Sequence, residues 1–252
     1  MTATTELRRF SPIDLAELDR VASLRTRYDL KYAVDEEIVD RLLGELPHSW
    51  LVLEIGDERS FGYSSLYFDD ANHRCYHDHR LRRRRRFKVR SRSYESATGT
   101  TLELKTKDGR GRTVKQRLER SGASVELSGG ERHWIDQRLA EMRLAPVAIE
   151  LRPTLGIEYR RTTLVEPSLG ERLTIDLGLT AVRNGAPTSL LPSAAVVEWK
   201  AGGQNGDTAR LMRRLGLHPV TFSKYCVGVS ATGIDDDRFR READRELARQ
   251  RR

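Results

Sequence analysis

In RFKVRSRSY, beginning at Arg86, every second residue is a cation: Arg86, Lys88, Arg90 and Arg92 alternate with Phe87, Val89 and Ser91. A strand turns successive side chains to opposite faces, so this spacing sets four positive heads in a row on one side. Such a row is suited to gripping a run of anionic oxygens, and the planar fork of Arg takes a phosphate at two points at once. The parity recurs. RYDLKY groups Arg27, Asp29 and Lys31; TLELKTK groups Glu103, Lys105 and Lys107 against Leu102 and Leu104; TVKQRLE groups Lys115, Arg117 and Glu119. ERLTIDLGL sets Arg172, Thr174 and Asp176 against Leu173, Ile175 and Leu177, and VVEWK sets Glu198 and Lys200 against Val197 and Trp199.

Alternating strands ordinarily form an open sheet with one solvated face. Two features count against that reading. The charged positions are mostly Arg and Lys rather than a mixture of signs with Ser, Thr and Gln, and Arg dominates the longest cationic strand. Closed into a barrel with the charged faces inward, the segments bring together about a dozen cations, and unit charges a few Å apart repel by roughly 4 kcal/mol per pair at an effective dielectric near 20. Such a lumen needs water and counter-ions at rest and a polyanion in use. The inward carboxylates Glu103, Asp176 and Glu198 serve either as partial charge balance or as oxygen ligands for Mg²⁺ or Mn²⁺.

The apolar backs of these strands need cover, which amphipathic helices supply. Ser11-Pro12 ahead of IDLAELDRVASL reads as an N-cap and first-turn proline. Asp35 reads as the cap of EEIVDRLLGEL, with Ile38, Leu42, Leu43 and Leu46 on one face. Further helices are expected from about Gly130 to Arg143 and from about Asp207 to Leu215. KDGRGR, from Lys107, reads as a hairpin turn. The almost wholly charged segment from Asp235 onward is expected to be a solvated helix or disordered, without chemistry. The resulting expectation is an α+β chain with an N-terminal helix over 1–24, a tunnel domain over 25–231 and a charged tail over 232–252.

The 252 residues carry a net charge of +8, with 38% hydrophobic and 33% charged positions, which points to an anionic partner. No apolar run approaches the ~20 residues that span a bilayer. MTATTELRRF has no apolar signal core, and Cys75 and Cys226 are too few for a disulfide framework, so a cytoplasmic location with reduced thiols is expected. No Walker-type loop, dinucleotide-binding glycine pattern or nucleophile elbow occurs. His73, Cys75, His77 and His79 lack a partner cluster and read as a turn or short helix rather than a zinc site. RLRRRRRFK, from Arg80, has few stacking aromatics around it, and no nucleic-acid partner is expected.

Taken in order, LKYAV, SSLYFDD, FKVRSRSY, LELKTK, IEYRRT, RLTID, VVEWK and FSKYCVG resemble the VTC (vacuolar transporter chaperone) polyphosphate polymerase domain, a branch of the triphosphate tunnel metalloenzymes. The resemblance implies an eight-stranded antiparallel tunnel with helices outside, taking ATP and inorganic polyphosphate as substrates. It implies phosphate ligands at Lys31, Arg90, Arg92, Lys105, Lys115, Arg161, Arg172, Lys200 and Lys224. Of these, Lys31, Arg90, Arg92, Arg161, Arg172 and Lys200 form the catalytic set, and Glu198 is the ligand for Mn²⁺ or Mg²⁺. The first strand departs from the family of tunnel triphosphatases and cyclases, reading R-x-D-x-K where they have E-x-E-x-K. Transfer of the terminal phosphoryl group of ATP to a phosphate chain, hydrolysis by the same fold, and non-catalytic polyanion binding all remain open at this point.

Overall fold

A computed structural model of the chain describes residues 6–21, 28–120, 124–234 and 238–251. The period-two segments become strands of one sheet: β1 (Ser11–Ile13), β2 (Tyr28–Asp35), β3 (Leu51–Leu53), β4 (Phe61–Asp69), β5 (Arg86–Tyr94), β6 (Ala97–Lys107), β7 (Thr113–Arg120), β8 (Arg152–Glu166), β9 (Glu171–Arg183), β10 (Ala186–Ser189) and β11 (Ala194–Ala201). Eight of them lie in the order β2-β11-β9-β8-β4-β5-β6-β7, antiparallel throughout. The helices are α1 (Leu15–Val21), α2 (Glu36–Glu45), α3 (Arg74–Arg80), α4 (Gly129–Glu141), α5 (Asp207–Arg214), α6 (Lys224–Ala231) and α7 (Arg238–Gln250).

The apolar parity faces outward and is covered, as the alternation requires. Tyr32, Val34, Leu173, Ile175, Val197 and Trp199 form one buried cluster with Leu42 and Leu43 of α2 and Leu211 and Met212 of α5. Asp35 caps α2 by accepting the Glu37 amide at 3.3 Å. Ser128 and Glu131 form a reciprocal capping box that starts α4, whose Ile135 and Leu139 share a second cluster with Phe87, Val89, Leu102 and Leu104.

Three expectations need correction. Ser11 does not cap the first helix: Ser11–Ile13 pairs in parallel with Leu51–Leu53, and the cap is Asp14, which accepts the Glu17 amide at 2.8 Å. Strand pairing satisfies the backbone groups that a helix start would have left open. The charged C-terminal segment is not simply solvated. Within α7, Phe239, Ala243 and Leu247 repeat every fourth residue and are buried in the main core.

The third correction concerns closure. The sheet has the expected eight strands, but among the described residues it forms no hydrogen-bonded ring, because β2 does not pair with β7. The open edge of β2 is already occupied. The Lys31 carbonyl accepts the Val220 amide at 2.7 Å, while the side-chain amide of Gln250 donates to the Ala33 carbonyl at 2.8 Å and accepts the Asp35 amide at 3.0 Å. The edge is thereby protected from intermolecular pairing as well. The sheet nevertheless curls, and Lys105 on β6 feels the charges of Lys31 and Glu198 on β2 and β11.

Part of the concave face is filled by α6. A side chain at Gly228 would meet Leu155 Cδ2 at 2.6 Å and Ile157 Cδ1 at 2.8 Å and would have to displace these buried methyl groups, so glycine lets this helix lie close against β8. Leu155 and Ile157 share strand parity with Tyr159 and Arg161. The inner face therefore changes along its axis from charged to apolar, with α6 stoppering the apolar part. Tyr225 Oη donates to Asp69 at 2.6 Å, and Asp69 also accepts the Cys75 and Tyr76 amides at 2.8 and 3.1 Å, which ties α6 and α3 to the end of β4.

Candidate functional site

The polar part of the concave face is organised around three carboxylates, each held by two or more cations. Glu103 on β6 is engaged by Arg90 of β5 at 2.6 Å, by Lys115 of β7 at 2.5 Å and by Arg117 of β7 at 3.4 Å. Asp176 on β9 takes both arms of Arg161 on β8, at 2.5 and 2.8 Å, together with the ammonium of Lys224 at the start of α6. Glu198 on β11 is held, among the described residues, only by lysines: Lys31 of β2 at 2.9 Å and Lys200 of its own strand at 3.5 Å. Register explains the first of these nodes, since Arg90, Glu103 and Arg117 are Cα partners across β5, β6 and β7.

Their protonation follows from this crowding. Burial opposes the ionised form of Glu103, but Arg90, Arg92 and Lys115 outweigh it and hold its carboxyl at about 2. The same contest leaves Asp176 below its ordinary value, with Arg161 and Lys224 prevailing, and Glu198 well below its own, with Lys31, Lys200 and Arg161 prevailing. The lysines are lowered too, but for them this disfavours the charged form. Burial, augmented by neighbouring cations and only partly offset by Glu103 and Glu198 respectively, draws Lys115 and Lys200 each down to about 8. Lys105 is lowered by burial and by Lys31, Lys88 and Arg90.

Positive charge exceeds what these carboxylates balance. Lys88, Arg92 and Lys105 form no ion pair among the described residues. Lys88 reaches Ser223 Oγ at 2.7 Å, and Arg92 is buried against Ser65 Oγ and Tyr159 Oη, both at 3.1 Å. Arg172 stands opposite Lys200 in the β9–β11 register, and its charge helps lower that lysine. All nine expected phosphate ligands thus lie on this face or at the head of α6. Arg27 lies outside the described residues.

Sequence parity had placed Lys88 and Arg117 on the cationic face without assigning them a role. A tyrosine floor was not foreseen. Tyr63 stacks on Tyr159 with ring centroids 5.2 Å apart, and Arg161 lies over both rings at 5.1 and 5.4 Å. Lys224 sits 4.6 Å above Tyr159, and the Tyr67 hydroxyl accepts from Arg90 at 3.0 Å. Burial raises the Tyr67 phenol, but Arg90, Arg92 and Lys88 outweigh it and set it below its usual value. The signal was available: Tyr63, Ser65 and Tyr67 share one parity in SSLYFDD and the residues just before it. The rings hold the cations in place without neutralising them.

Among the described residues no three His, Cys, Asp or Glu side chains gather as a metal cluster. His79, on the short helix α3, is drawn down to about 2 by burial and by Lys88, Arg86, Lys105 and Lys107. Glu198 fits a hard divalent ion in one circumstance, with phosphate oxygens completing the shell, because such ions commonly use one or two carboxylates plus substrate phosphates. The trough can therefore hold a linear polyanion along cations from seven strands and α6. No helix among the described residues is long and apolar enough to cross a membrane.

Residues 26–232 match the family model described as the VTC domain. A search of curated proteins finds no match. Among solved structures, the chain is similar to a putative adenylyl cyclase from Hippeastrum described as having a dominant triphosphatase activity, at 15% identity and a TM-score of 0.50, covering 81% of this chain and 96% of that one. It is also matched to the PH1819 protein of Pyrococcus horikoshii at 10% identity and a TM-score of 0.39, covering 76% and 92%. The first likeness shows a shared triphosphate tunnel fold.

Proposed function

The chain belongs to the VTC domain family, and from that premise we propose that it is a phosphotransferase moving the terminal phosphoryl group of ATP onto the end of a polyphosphate chain. The observation that carries this reading is the set of three carboxylate nodes, in which seven cations from β2, β5, β7, β8, β11 and α6 are pre-positioned around one concave axis.

Transfer of a phosphoryl group depends on in-line placement and on neutralising oxygens as charge redistributes. Arg90, Arg92, Arg161 and Arg172 present fixed forks, and Lys31, Lys105, Lys115, Lys200 and Lys224 present point charges for the triphosphate and the chain. An oxygen of the chain's terminal phosphate forms the new bond to phosphorus. The bond from that phosphorus to the bridging oxygen breaks, and ADP leaves with the electron pair. The second ionisation of a terminal phosphate lies near ~6, so the acceptor is already anionic at neutral pH and needs no strong base. A Mn²⁺ or Mg²⁺ ion held by Glu198 and phosphate oxygens would supply Lewis-acid charge neutralisation at the transferring group.

Incubating the full chain with ATP and Mn²⁺, then resolving the products, tests the proposal. Long phosphate chains with stoichiometric ADP are expected. Release of free phosphate alone would replace it with hydrolysis, the activity described for the Hippeastrum structure. Binding without turnover would replace it with a carrier role.

A further inference from the structure

Outside the trough, a second arginine-rich surface has no role in the reading above. Arg83, Arg84 and Arg85 ahead of β5, Arg110 and Arg112 in the β6–β7 turn, and Arg143 just past α4 converge on an open cleft of about 870 Å³. Six arginines face only two carboxylates there, Asp108 and Glu141. Asp108 is committed to its own turn, accepting the amides of Arg110 and Arg112 at 2.9 and 2.8 Å and the Arg112 side chain at 3.2 Å. Glu141 pairs with Arg138 at 2.8 Å, and Arg83 pairs with Asp78 at 3.0 Å. Arg84, Arg85, Arg110 and Arg143 are exposed and form no ion pair among the described residues. The contrast with the trough is sharp: in the trough most cations have a resident carboxylate, whereas here four arginines have none.

We infer that this cleft is a second binding site for linear polyphosphate, holding a stretch of the chain outside the trough. The inference rests on the polyphosphate reading of the trough. Position supports it, because the same strands serve both surfaces. Arg85 precedes Arg86 at the start of β5, Lys107 at the end of β6 pairs with Arg86, and Arg90 lies five residues further along, about 16 Å at the rise of a strand. The lining chemistry selects the ligand class. A single-stranded nucleic acid relies on aromatic platforms for its bases, and the lining holds no aromatic residue. A polyphosphate has charge at every unit and no bases to stack.

Two sites on one chain raise affinity only for a ligand long enough to reach both. Titration of the full chain with tripolyphosphate and with long-chain polyphosphate tests this, using the triple variant Arg84→Ser, Arg85→Ser, Arg110→Ser. The variant is expected to bind the long chain about tenfold more weakly and tripolyphosphate unchanged. Its salt slope should fall by about 2, taking ~0.7 per lost phosphate contact on a flexible strand. Equal long-chain affinity in variant and unaltered protein overturns the cleft. So does an equal loss for both ligands, or displacement of the long chain by single-stranded DNA at the same phosphate concentration. Should the triple variant fail to fold, Arg84→Ser and Arg110→Ser singly are each expected to lose about threefold on the long chain alone. Failure of tripolyphosphate to bind the unaltered protein refutes the trough instead, and leaves the cleft to be judged by long-chain binding.

Discussion

Asp176→Asn removes one negative charge and almost no volume from a fully buried position. In its place two cations, Arg161 and Lys224, remain at 14% and 12% side-chain exposure with nothing between them to balance. At an effective dielectric near 20 a unit pair about 4 Å apart is worth roughly 4 kcal/mol before desolvation is counted. Removing one partner of a buried pair typically costs about 3–5 kcal/mol, because the survivor stays buried and uncompensated. For a chain of this size, 1 kcal/mol moves Tm by ~2–4 °C, so a fall of about 10 °C is expected. If the carboxylate acts as a resident counter-ion, a bound polyanion should replace it. Tripolyphosphate without metal should therefore raise Tm more in the variant than in the unaltered protein. Thermal unfolding by circular dichroism, with and without the ligand, reads both effects. A variant as stable as the parent refutes the electrostatic account of the node. Equal stabilisation of both proteins by tripolyphosphate refutes the substitution of substrate for carboxylate.

Arg172→Ala is expected to abolish ATP-dependent phosphate transfer while leaving the far-ultraviolet spectrum intact; a folded variant with full activity removes Arg172 from the site. In the empty trough Lys115 and Lys200 are charged below about 8 and lose their protons as pH rises through it. Tripolyphosphate affinity should accordingly drop by at least about threefold between about pH 7 and 9, and Lys200→Arg should flatten that drop; an unchanged profile in Lys200→Arg assigns the titration elsewhere. The same depression means the native state binds fewer protons than the unfolded chain between about 8 and 10.5, so the ligand-free protein should gain stability across that window in chemical denaturation. Phe239→Ala should cost about 3–4 kcal/mol by opening a cavity under α7; a loss below about 1 kcal/mol would show that α7 is not anchored by its apolar stripe.

Period-two reading was sufficient for the strands because burial demands it. A position such as Val89 is fully covered while its neighbours Lys88 and Arg90 are not, and that difference is written in residue type. It was equally sufficient for α2, where Asp35 supplies a local cap and Leu42 and Leu43 a local stripe. What failed was long-range. Nothing in RYDLKY signals that Val220 and Gln250 occupy its free edge, so alternation predicts a closed ring where the structure has a curled open sheet. FSKYCVG enters the sequence reading only through the family resemblance, which implies Lys224 as a phosphate ligand but no helix inside the trough. The helix itself is explained by Gly228, whose missing side chain admits α6 to the concave face. The α7 stripe of Phe239, Ala243 and Leu247 was legible at four-residue spacing, but the density of charge around it concealed it.

The three nodes are not equivalent, and the difference bears on which carboxylate is available for chemistry. Glu103 and Asp176 are each gripped by an arginine at 2.6 Å or closer, and arginine does not give up its proton. A phosphate entering the trough has little chance of stripping those pairs, which leaves both carboxylates as fixed orienters of the cations around them. Among the described residues Glu198 has only lysines, one at 2.9 Å and one at 3.5 Å, and the farther of them, Lys200, is drawn down to about 8 and so holds its proton less firmly than an ordinary lysine. Lysine is a point charge on a flexible stem and can swing to a better anion. On the proposed phosphotransferase reading, Lys31 and Lys200 would be the cations that turn toward arriving phosphates, and Glu198 would be the carboxylate left beside phosphate oxygens. A trough that offers an oxygen ligand once phosphates are bound needs one node of this weaker kind, and among the described residues of the concave face the lysine-only node is the one at Glu198.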